Sequence, residues 1–448
     1  MSRAVVLVLA GCAALLVAYG SRVIFDVPLL DDWSFVEQLQ RYLAGECSLP
    51  QYLLARHNEH LAIPSRLLFL LLYHWTALDL RVLRWLTLAV LFACAVIVAC
   101  AVSCDVARSP GSRSARDRAA ELILWLPFAA MTASLAGWET VAVAMSFTNA
   151  VALLATLSAV LAFERWRGRA SIGNCLSTFG LTLLATVSLG SGLLLWFVLA
   201  VAATCSWRLR RRRLETALLW LLGLGFLAAQ VVARSAALQQ SAGVGLALAV
   251  VEVAGVPLAL QQHGEPDAAM CLLSGAGLVV ALGLSSVHHA RRGAELRARS
   301  TRYLLWGWAG FATCAAIALG RHGLPGVGSL AASRYVPMVL PLALGSLAYW
   351  ICTAATRRAA SRVACGVALG ITCLGLAIDF GELRMSRSRA NACTSMITLL
   401  SGDLAKVPEV TWRTQLYLEP WLAQQVAQRN VPFLRAHELS LFRPPRGQ

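Results

Sequence analysis

The sequence predicts an all-α polytopic membrane protein, and three observations support this fold class. Hydrophobic residues make up 58% of the chain and charged residues only 14%, and the mean hydropathy is +0.65. Apolar runs of about 20 residues, the length of helix that crosses a bilayer, recur along the chain. Because backbone groups in hydrocarbon must be satisfied within the segment, these runs are expected to be helices. The composition excludes a soluble globular enzyme.

The strong positive charge has a membrane explanation. The formal net charge is +16, and Lys406 is the only lysine among the 39 basic residues. Arginines cluster in short connections between apolar runs, for example in 208–213 and 291–302. This pattern is typical of cytoplasmic loops. A nucleic-acid-binding protein would carry its basic residues on a folded soluble module, interleaved with aromatic residues. The sequence has no such module, so no nucleic-acid partner is predicted.

The apolar runs predict about eleven transmembrane helices, at residues 4–24, 83–103, 120–138, 146–163, 172–188, 191–207, 214–233, 267–288, 303–320, 335–354 and 362–379. Two more apolar runs are predicted to be interfacial or re-entrant. Residues 63–78 would extend ~24 Å as a helix, which is short of a ~30 Å hydrocarbon core. If residues 242–260 formed an additional transmembrane span, the arginine clusters that follow them would lie on the outer side of the membrane. This run is therefore predicted to be re-entrant or interfacial.

The arginine pattern also predicts an orientation. It places the protein in the bacterial cytoplasmic (inner) membrane, with the N-terminus inside and the C-terminus outside. Residues 1–380 form the predicted multi-span domain, and residues 381–448 form a small extracytoplasmic region. The first 20 residues also fit a cleavable signal peptide. A retained first helix is favoured, because the acidic loop begins directly at its outer end.

The first outer loop, residues 26–66, is the predicted active site. It holds three aspartates, three glutamates and two histidines in a chain with few charges. Such groups resist burial beside a membrane, so their concentration in one loop indicates a function. Asp31 and Asp32 are the catalytic candidates, because a carboxylate at an interface suits a general base or a metal ligand. The alternative for one of them is a helix N-cap.

Four further residues of this loop are candidates for substrate binding. His57, Glu59 and His60 resemble a metal cluster, but histidines three residues apart bind a metal only when a third ligand joins them. The alternative is a polar loop that orders the acidic site by hydrogen bonds. Arg66 is suited to hold a phosphate or a carboxylate. No cofactor is required by this set, and a divalent metal is one option.

The remaining binding candidates lie in later outer segments. Glu139 follows the third predicted span, and Arg321 with His322 and Arg334 with Tyr335 bracket the loop before the tenth. Guanidinium groups bind phosphate oxygens in pairs, so two arginines at the interface suit a phosphate clamp. The alternative is that these arginines extend to lipid headgroups.

Three motifs carry a resemblance to a known family: DDW at 31–33, HNEHLAIPSR at 57–66 and ASRY at 332–335. The chain also has an interfacial segment, two short central helices and a C-terminal tail. With these features and motifs it resembles the GT-C superfamily of polyprenyl-phosphate-dependent membrane glycosyltransferases, in particular a group of bacterial members. The resemblance implies an inverting transfer from a polyprenyl-phosphate-linked sugar to an envelope glycan, lipid or protein acceptor on the outer face of the membrane. It also implies that Asp31 or Asp32 is the base.

Two other functions remain open from the sequence. A lipid-linked glycan ligase would depend on arginine and histidine rather than on an aspartate base. A transporter or scaffold of envelope polysaccharide assembly would have no catalytic base. Transporters carry charged or helix-breaking positions near the membrane midplane of repeated helices. In this chain the polar residues gather at one face of the membrane, which favours surface chemistry with membrane lipid as a partner.

Overall fold

The chain is almost entirely helical where its structure is described. The computed structural model describes residues 3–57, 61–107, 126–128, 131, 138–169, 171–206, 212–232, 244–259, 261–262, 265–321, 335–354, 369–379, 381, 383 and 426–442. One antiparallel pair of two-residue strands, β1 (Gln261–Gln262) and β2 (Glu265–Pro266), interrupts the helices of this part. The all-α prediction is therefore confirmed.

The helices follow one another with short connections. The N-terminal part contains α1 (Arg3–Val23), α2 (Asp32–Leu43), α3 (Leu49–Leu54), α4 (Ile63–Thr76) and α5 (Leu80–Ala107). The middle part contains α6 (Trp138–Ala142), a 3-10 turn (Ala144–Ser146), α7 (Phe147–Gly168), α8 (Ile172–Ser188), a 3-10 turn (Gly190–Gly192), α9 (Leu193–Cys205) and α10 (Arg213–Val232). The C-terminal part contains α11 (Val244–Gly255), a 3-10 turn (Val256–Leu258), α12 (Ala268–Ala290), α13 (Ala294–Arg321), α14 (Val336–Ala354), α15 (Leu369–Asp379), a π turn (Val426–Asn430), α16 (Val431–Ala436) and a 3-10 turn (Ser440–Phe442).

Several helices are compatible with a multi-pass membrane protein. In the described part of the chain, five are long and apolar enough to cross a membrane: Val5–Val23, Leu80–Asp105, Ala144–Gly168, Ala268–Ala290 and Val336–Thr353. Each coincides with a predicted span. The predicted central pair of short helices is also present, because α8 has 17 residues and α9 has 13. The total of eleven spans stays a prediction. The helices at 172–188, 191–207, 214–233 and 303–320 are not among the five, and most of 120–138 and the start of 362–379 lie outside the described residues.

The two runs predicted to be interfacial or re-entrant are short helices. Helix α4 has 14 residues and α11 has 12. At 1.5 Å per residue these helices are ~21 Å and ~18 Å long, and neither crosses a ~30 Å hydrocarbon core alone. Both helices are therefore too short to span the membrane, as the prediction required.

Helices α13 and α14 touch at their backbones. At Gly345, an added Cβ atom would lie 2.4 Å from both the carbonyl oxygen of Tyr303 and the amide nitrogen of Gly307. No side chain fits between the two helices at this point. Membrane helices associate through such close packing of small residues, because lipid provides no hydrophobic force that drives them together.

A second apolar cluster lies at one end of the bundle, and we call it the loop layer. It is formed by α2, α4, the turn Ala144–Ser146 and the segment 426–442, with buried side chains that include Trp33, Phe35, Phe69, Met145 and Leu434. The amide of Asn430 donates to the carbonyl oxygen of Trp33 at 3.2 Å, and the hydroxyl of Ser440 donates to that of Asp26 at 3.0 Å. These contacts place the described C-terminal segment and the first loop at the same end of the bundle.

The close contact at Gly345 predicts a specific sensitivity. We expect Gly345→Ala to destabilise the protein by about 1–3 kcal/mol, because the new methyl group overpacks a backbone contact. Thermal unfolding of the purified protein in detergent measures this. Gly277→Ala in α12 is the matched control, since an added Cβ there meets nothing within 4 Å. Equal unfolding temperatures for the two variants would contradict the packing described here.

The arrangement of arginines and the contact between loop and C-terminal segment predict a topology. Reporter fusions after Leu54 and Gln448 should both give an extracytoplasmic signal, and a fusion after Arg213 should give a cytoplasmic one. A cytoplasmic signal at Leu54 or Gln448 would contradict the orientation.

Candidate functional site

The Asp32 carboxylate lies at the centre of the loop layer and is fully buried. Its Oδ2 accepts hydrogen bonds from the amide nitrogens of Leu29 at 3.0 Å and Ala144 at 3.1 Å, and from Nη2 of Arg84 at 3.2 Å. Its Oδ1 accepts from the amide nitrogen of Met145 at 2.7 Å. These donors come from the first loop, from α5 and from the turn before α7, so Asp32 joins three separate segments.

Arg84 completes this buried ion pair. It is fully buried near the start of α5, and it donates to the carbonyl oxygen of Phe25 as well as to that of Val27, the latter at 2.7 Å. Burial raises the pKa of the Asp32 carboxyl above its ordinary value, while Arg84 and the three backbone amides oppose that rise. With no exposed surface, Asp32 cannot touch a substrate in this conformation. Its geometry is that of a positioning residue, unlike the catalytic role predicted for it.

Asp31 has a different environment, although it is the next residue. It occupies the N-cap position of α2, but its side chain makes no capping hydrogen bond. Its Oδ1 lies 3.5 Å from Nε2 of His57, and the side chains are 37% and 10% exposed, respectively. Leu30, directly before it, has a φ of 47°, a left-handed conformation that side chains rarely adopt. Such strain is often found at functional sites, where the surrounding structure holds it in place.

Arg66 lies against the Phe35 ring, which His57 also contacts. The His57 ring contacts Phe35 edge-on at 5.6 Å between centroids, and Cζ of Arg66 is 4.7 Å from the centre of the same ring. The Arg66 guanidinium donates to Leu61 and to Gln38. Its Nη2 is buried with no hydrogen-bond partner among the described residues. The structure therefore brings Asp31, His57 and Arg66 together.

Burial changes the acid–base properties around Arg66. It lowers the pKa of the guanidinium to about 10, so the group stays charged at neutral pH. The Tyr52 ring lies 5.7 Å from Cζ of Arg66, and the Tyr52 hydroxyl donates to the Arg66 carbonyl oxygen at 3.1 Å. Burial also raises the pKa of Tyr52, which keeps the phenol protonated.

A surface cleft of about 300 Å³ lies beside these residues, between α2 and α3. Its lining residues are Gln38, Arg41, Glu46, Cys47, Gln51, Tyr52 and Ala55. Gln38 and Tyr52 separate Arg66 from the cleft, since both contact the guanidinium and both line the cleft. A substrate in the cleft would meet Arg66 directly only if these two side chains moved. Arg66, predicted to hold a phosphate or a carboxylate, therefore lies behind the cleft wall.

The other predicted binding residues differ in where they lie. Glu139 is half-buried in α6, which leads into the turn whose amides hold Asp32. Tyr335 is 5% exposed and packs in the core of the helix bundle, a different apolar cluster from the loop layer. Glu59, His60, His322 and Arg334 lie outside the described residues, as does the side chain of Arg321. The clamp of two arginines therefore stays a prediction.

No metal site forms among the residues that the structure describes, because nowhere in that part do three metal-ligating side chains converge. Arg84 and the backbone amides of Ala144 and Met145 were not among the residues predicted from the sequence. Arg84 had a signal, since it is a charged residue at the edge of an apolar span. The amides had none, because every residue has a backbone and only the fold brings these two to Asp32.

Comparison with known proteins adds no family assignment. The sequence matches no protein-family model and has no significant match among curated proteins. The resemblance to GT-C glycosyltransferases rests on the short motifs and on the organisation of the chain.

The buried pair predicts a large stability effect at Asp32. We expect Asp32→Asn to destabilise the protein by about 3–5 kcal/mol, because Arg84 would keep a buried charge without its counter-ion. Asp79→Asn is the matched control: Asp79 pairs with Arg81 at 2.9 Å, and the Arg81 side chain is 53% exposed. Its loss should cost about 1 kcal/mol or less. Chemical unfolding in detergent compares the two, and a similar loss in both would contradict the role of Asp32.

Proposed function

We propose that the protein is a membrane glycosyltransferase of the GT-C type. It would move a sugar from a polyprenyl-phosphate donor to an envelope glycan, lipid or protein acceptor on the outer face of the bacterial cytoplasmic membrane. The observation that carries the proposal is the contrast between the two adjacent aspartates. Asp32 is buried and fixes the loop, while Asp31 keeps a partly exposed carboxylate beside His57. A positioned carboxylate that a substrate can reach suits a general base.

The proposed chemistry uses Asp31 on the acceptor. Its carboxylate takes the proton of an acceptor hydroxyl as the hydroxyl oxygen attacks the anomeric carbon of the donor sugar. The bond between that carbon and the phosphate oxygen breaks, and polyprenyl phosphate leaves with the electron pair. Attack opposite the leaving group inverts the configuration at the anomeric carbon. His57 is the proposed positioning residue, because its ring nitrogen lies 3.5 Å from Asp31.

A rigid support for Asp31 is the second argument. Catalytic groups act efficiently when packing and hydrogen bonds hold them in a productive geometry. The residue after Asp31 is bound by four donors from three segments, so the start of α2 has little freedom to move. Asp31 is thereby held in place beside His57.

The glycan ligase is the alternative with structural support of its own. The guanidinium of Arg66 is buried and charged, and its Nη2 has no hydrogen-bond partner among the residues described. An unfilled donor of this kind suits a phosphate or pyrophosphate oxygen. In a ligase, His57 and Arg66 would be essential and Asp31 would be dispensable.

The test is complementation of a deletion strain, with lipid-linked sugars measured by mass spectrometry. Asp31→Asn should fail to restore transfer, so the lipid-linked donor accumulates, because loss of a general base costs about 10² to 10⁴ in rate. Glu37→Gln is the control, since Glu37 is another partly exposed carboxylate of α2, away from His57. All variants must be inserted and folded at the level of the parent. Full transfer by Asp31→Asn would refute the proposed base. If Asp31→Asn transferred sugar fully while His57→Gln lost transfer, the ligase would be favoured.

A further inference from the structure

A second cavity lies at the other end of the bundle, where the arginine clusters are. It has a volume of about 430 Å³ and lies between α5, α7 and α13. Its wall includes the charged residues Glu164, Arg165 and Arg302 and the apolar residues Val96, Ile97 and Leu161. A volume of this size falls within the range of ligand pockets, which is about 300–1,000 Å³.

One end of this cavity carries charges of both signs. Glu164 lies near the end of α7, and its Oε2 pairs with Nη2 of Arg167 at 2.8 Å. Arg302 in α13 pairs with Asp105 at the end of α5, with 3.5 Å between Nη2 and Oδ1. Arg165 is exposed at the same end. A ligand here would therefore meet one carboxylate and two guanidinium groups on the cavity wall.

The two buried charges have unused hydrogen-bonding atoms. Oε1 of Glu164 and Nε of Arg302 are both buried, and neither has a hydrogen-bond partner within the described part of the chain. Their side chains are only 11% and 18% exposed. An unsatisfied buried polar group costs about 1–3 kcal/mol, and more when it is charged. A ligand that donates to Glu164 and accepts from Arg302 would remove this cost.

The other end of the cavity is apolar. From Cys104 to Val96 it follows about two turns of α5, which corresponds to ~12 Å of helix. Val96, Ile97 and Leu161 line this part, and both helices belong to the set that is apolar enough to cross a membrane. The cavity thus has a charged end at the arginine-rich side and an apolar end that runs into the bundle.

We propose that this cavity binds a phospholipid with a primary-amine headgroup, of the phosphatidylethanolamine class, from the leaflet at the arginine-rich end. The phosphate accepts from Arg302 and Arg165, the ammonium group donates to Glu164, and the first part of an acyl chain lies along Val96, Ile97 and Leu161. Charge complementarity selects this occupant. Phosphatidylglycerol has no amine for Glu164, and the quaternary nitrogen of phosphatidylcholine has no N–H to donate.

The test is lipid binding to the full chain. The purified, delipidated protein is titrated with dioleoyl phosphatidylethanolamine, phosphatidylcholine or phosphatidylglycerol, and bound lipid is counted by native mass spectrometry. The parent should bind the ethanolamine lipid about tenfold more tightly than the choline lipid, as expected for one charge-assisted hydrogen bond. Glu164→Gln should reduce ethanolamine-lipid binding to the level of the choline lipid, and Arg302→Gln should weaken binding of both.

Two further variants control for folding. Glu215 forms another glutamate–arginine pair of the same sequence spacing, with 2.8 Å between its Oε1 and Nη1 of Arg212, and it lies outside the cavity. The Glu215→Gln variant should therefore bind lipid as the parent does. Ile97→Trp fills the apolar end without a change of charge and should abolish binding while the elution volume in size-exclusion chromatography is unchanged. Equal binding of the three lipids, a preference for phosphatidylglycerol, or unchanged binding in Glu164→Gln would overturn the proposal.

Discussion

The buried pair of Asp32 and Arg84 is the interaction on which the arrangement of the proposed active site depends. Moving a charge out of water costs several kcal/mol per ion, and attraction between two buried ions offsets this only when hydrogen bonds satisfy both. Here the carboxylate accepts from three backbone amides in addition to Arg84, and Arg84 also donates to the carbonyl oxygens of Phe25 and Val27. Only Nε of Arg84 has no hydrogen-bond partner among the described residues. The pair thereby ties the loop to α5 and to the start of α7.

The consequence for Asp31 is geometric. Adjacent side chains at the start of a helix do not face the same way. Because Asp32 is turned into the protein to meet its donors, Asp31 is left near the surface, where its carboxylate meets His57. One aspartate therefore stabilises the loop and its neighbour stays available for chemistry. Two identical residues side by side therefore have different environments, one fully buried and one partly exposed.

The two ends of the helix bundle use charge differently. At the loop end, the Asp32 carboxylate is held by four donors, and the Asp31 carboxylate beside His57 is partly exposed. At the arginine-rich end, Glu164 and Arg302 are buried beside an apolar cavity with hydrogen-bonding atoms unused. A partly exposed carboxylate suits a reaction on polar sugars, whereas a cavity that joins charge to hydrocarbon suits an amphiphile. The bundle thus separates the proposed chemistry from a proposed lipid site.

The sequence by itself determined the helical class, the position of the helices long enough to cross a membrane and the two short central helices, and it indicated the first loop as the candidate site. These follow from hydropathy and from the cost of burying charge, which depend on local composition. Only the tertiary structure distinguished Asp31 from Asp32, placed Arg66 behind Gln38 and Tyr52, buried Tyr335 in the bundle core and brought residues 426–442 onto the loop. Each of these depends on contacts between distant segments, such as the amides of Ala144 and Met145 with Asp32. Backbone donors carry no residue-specific signal, so no pattern in the chain reveals them before it folds.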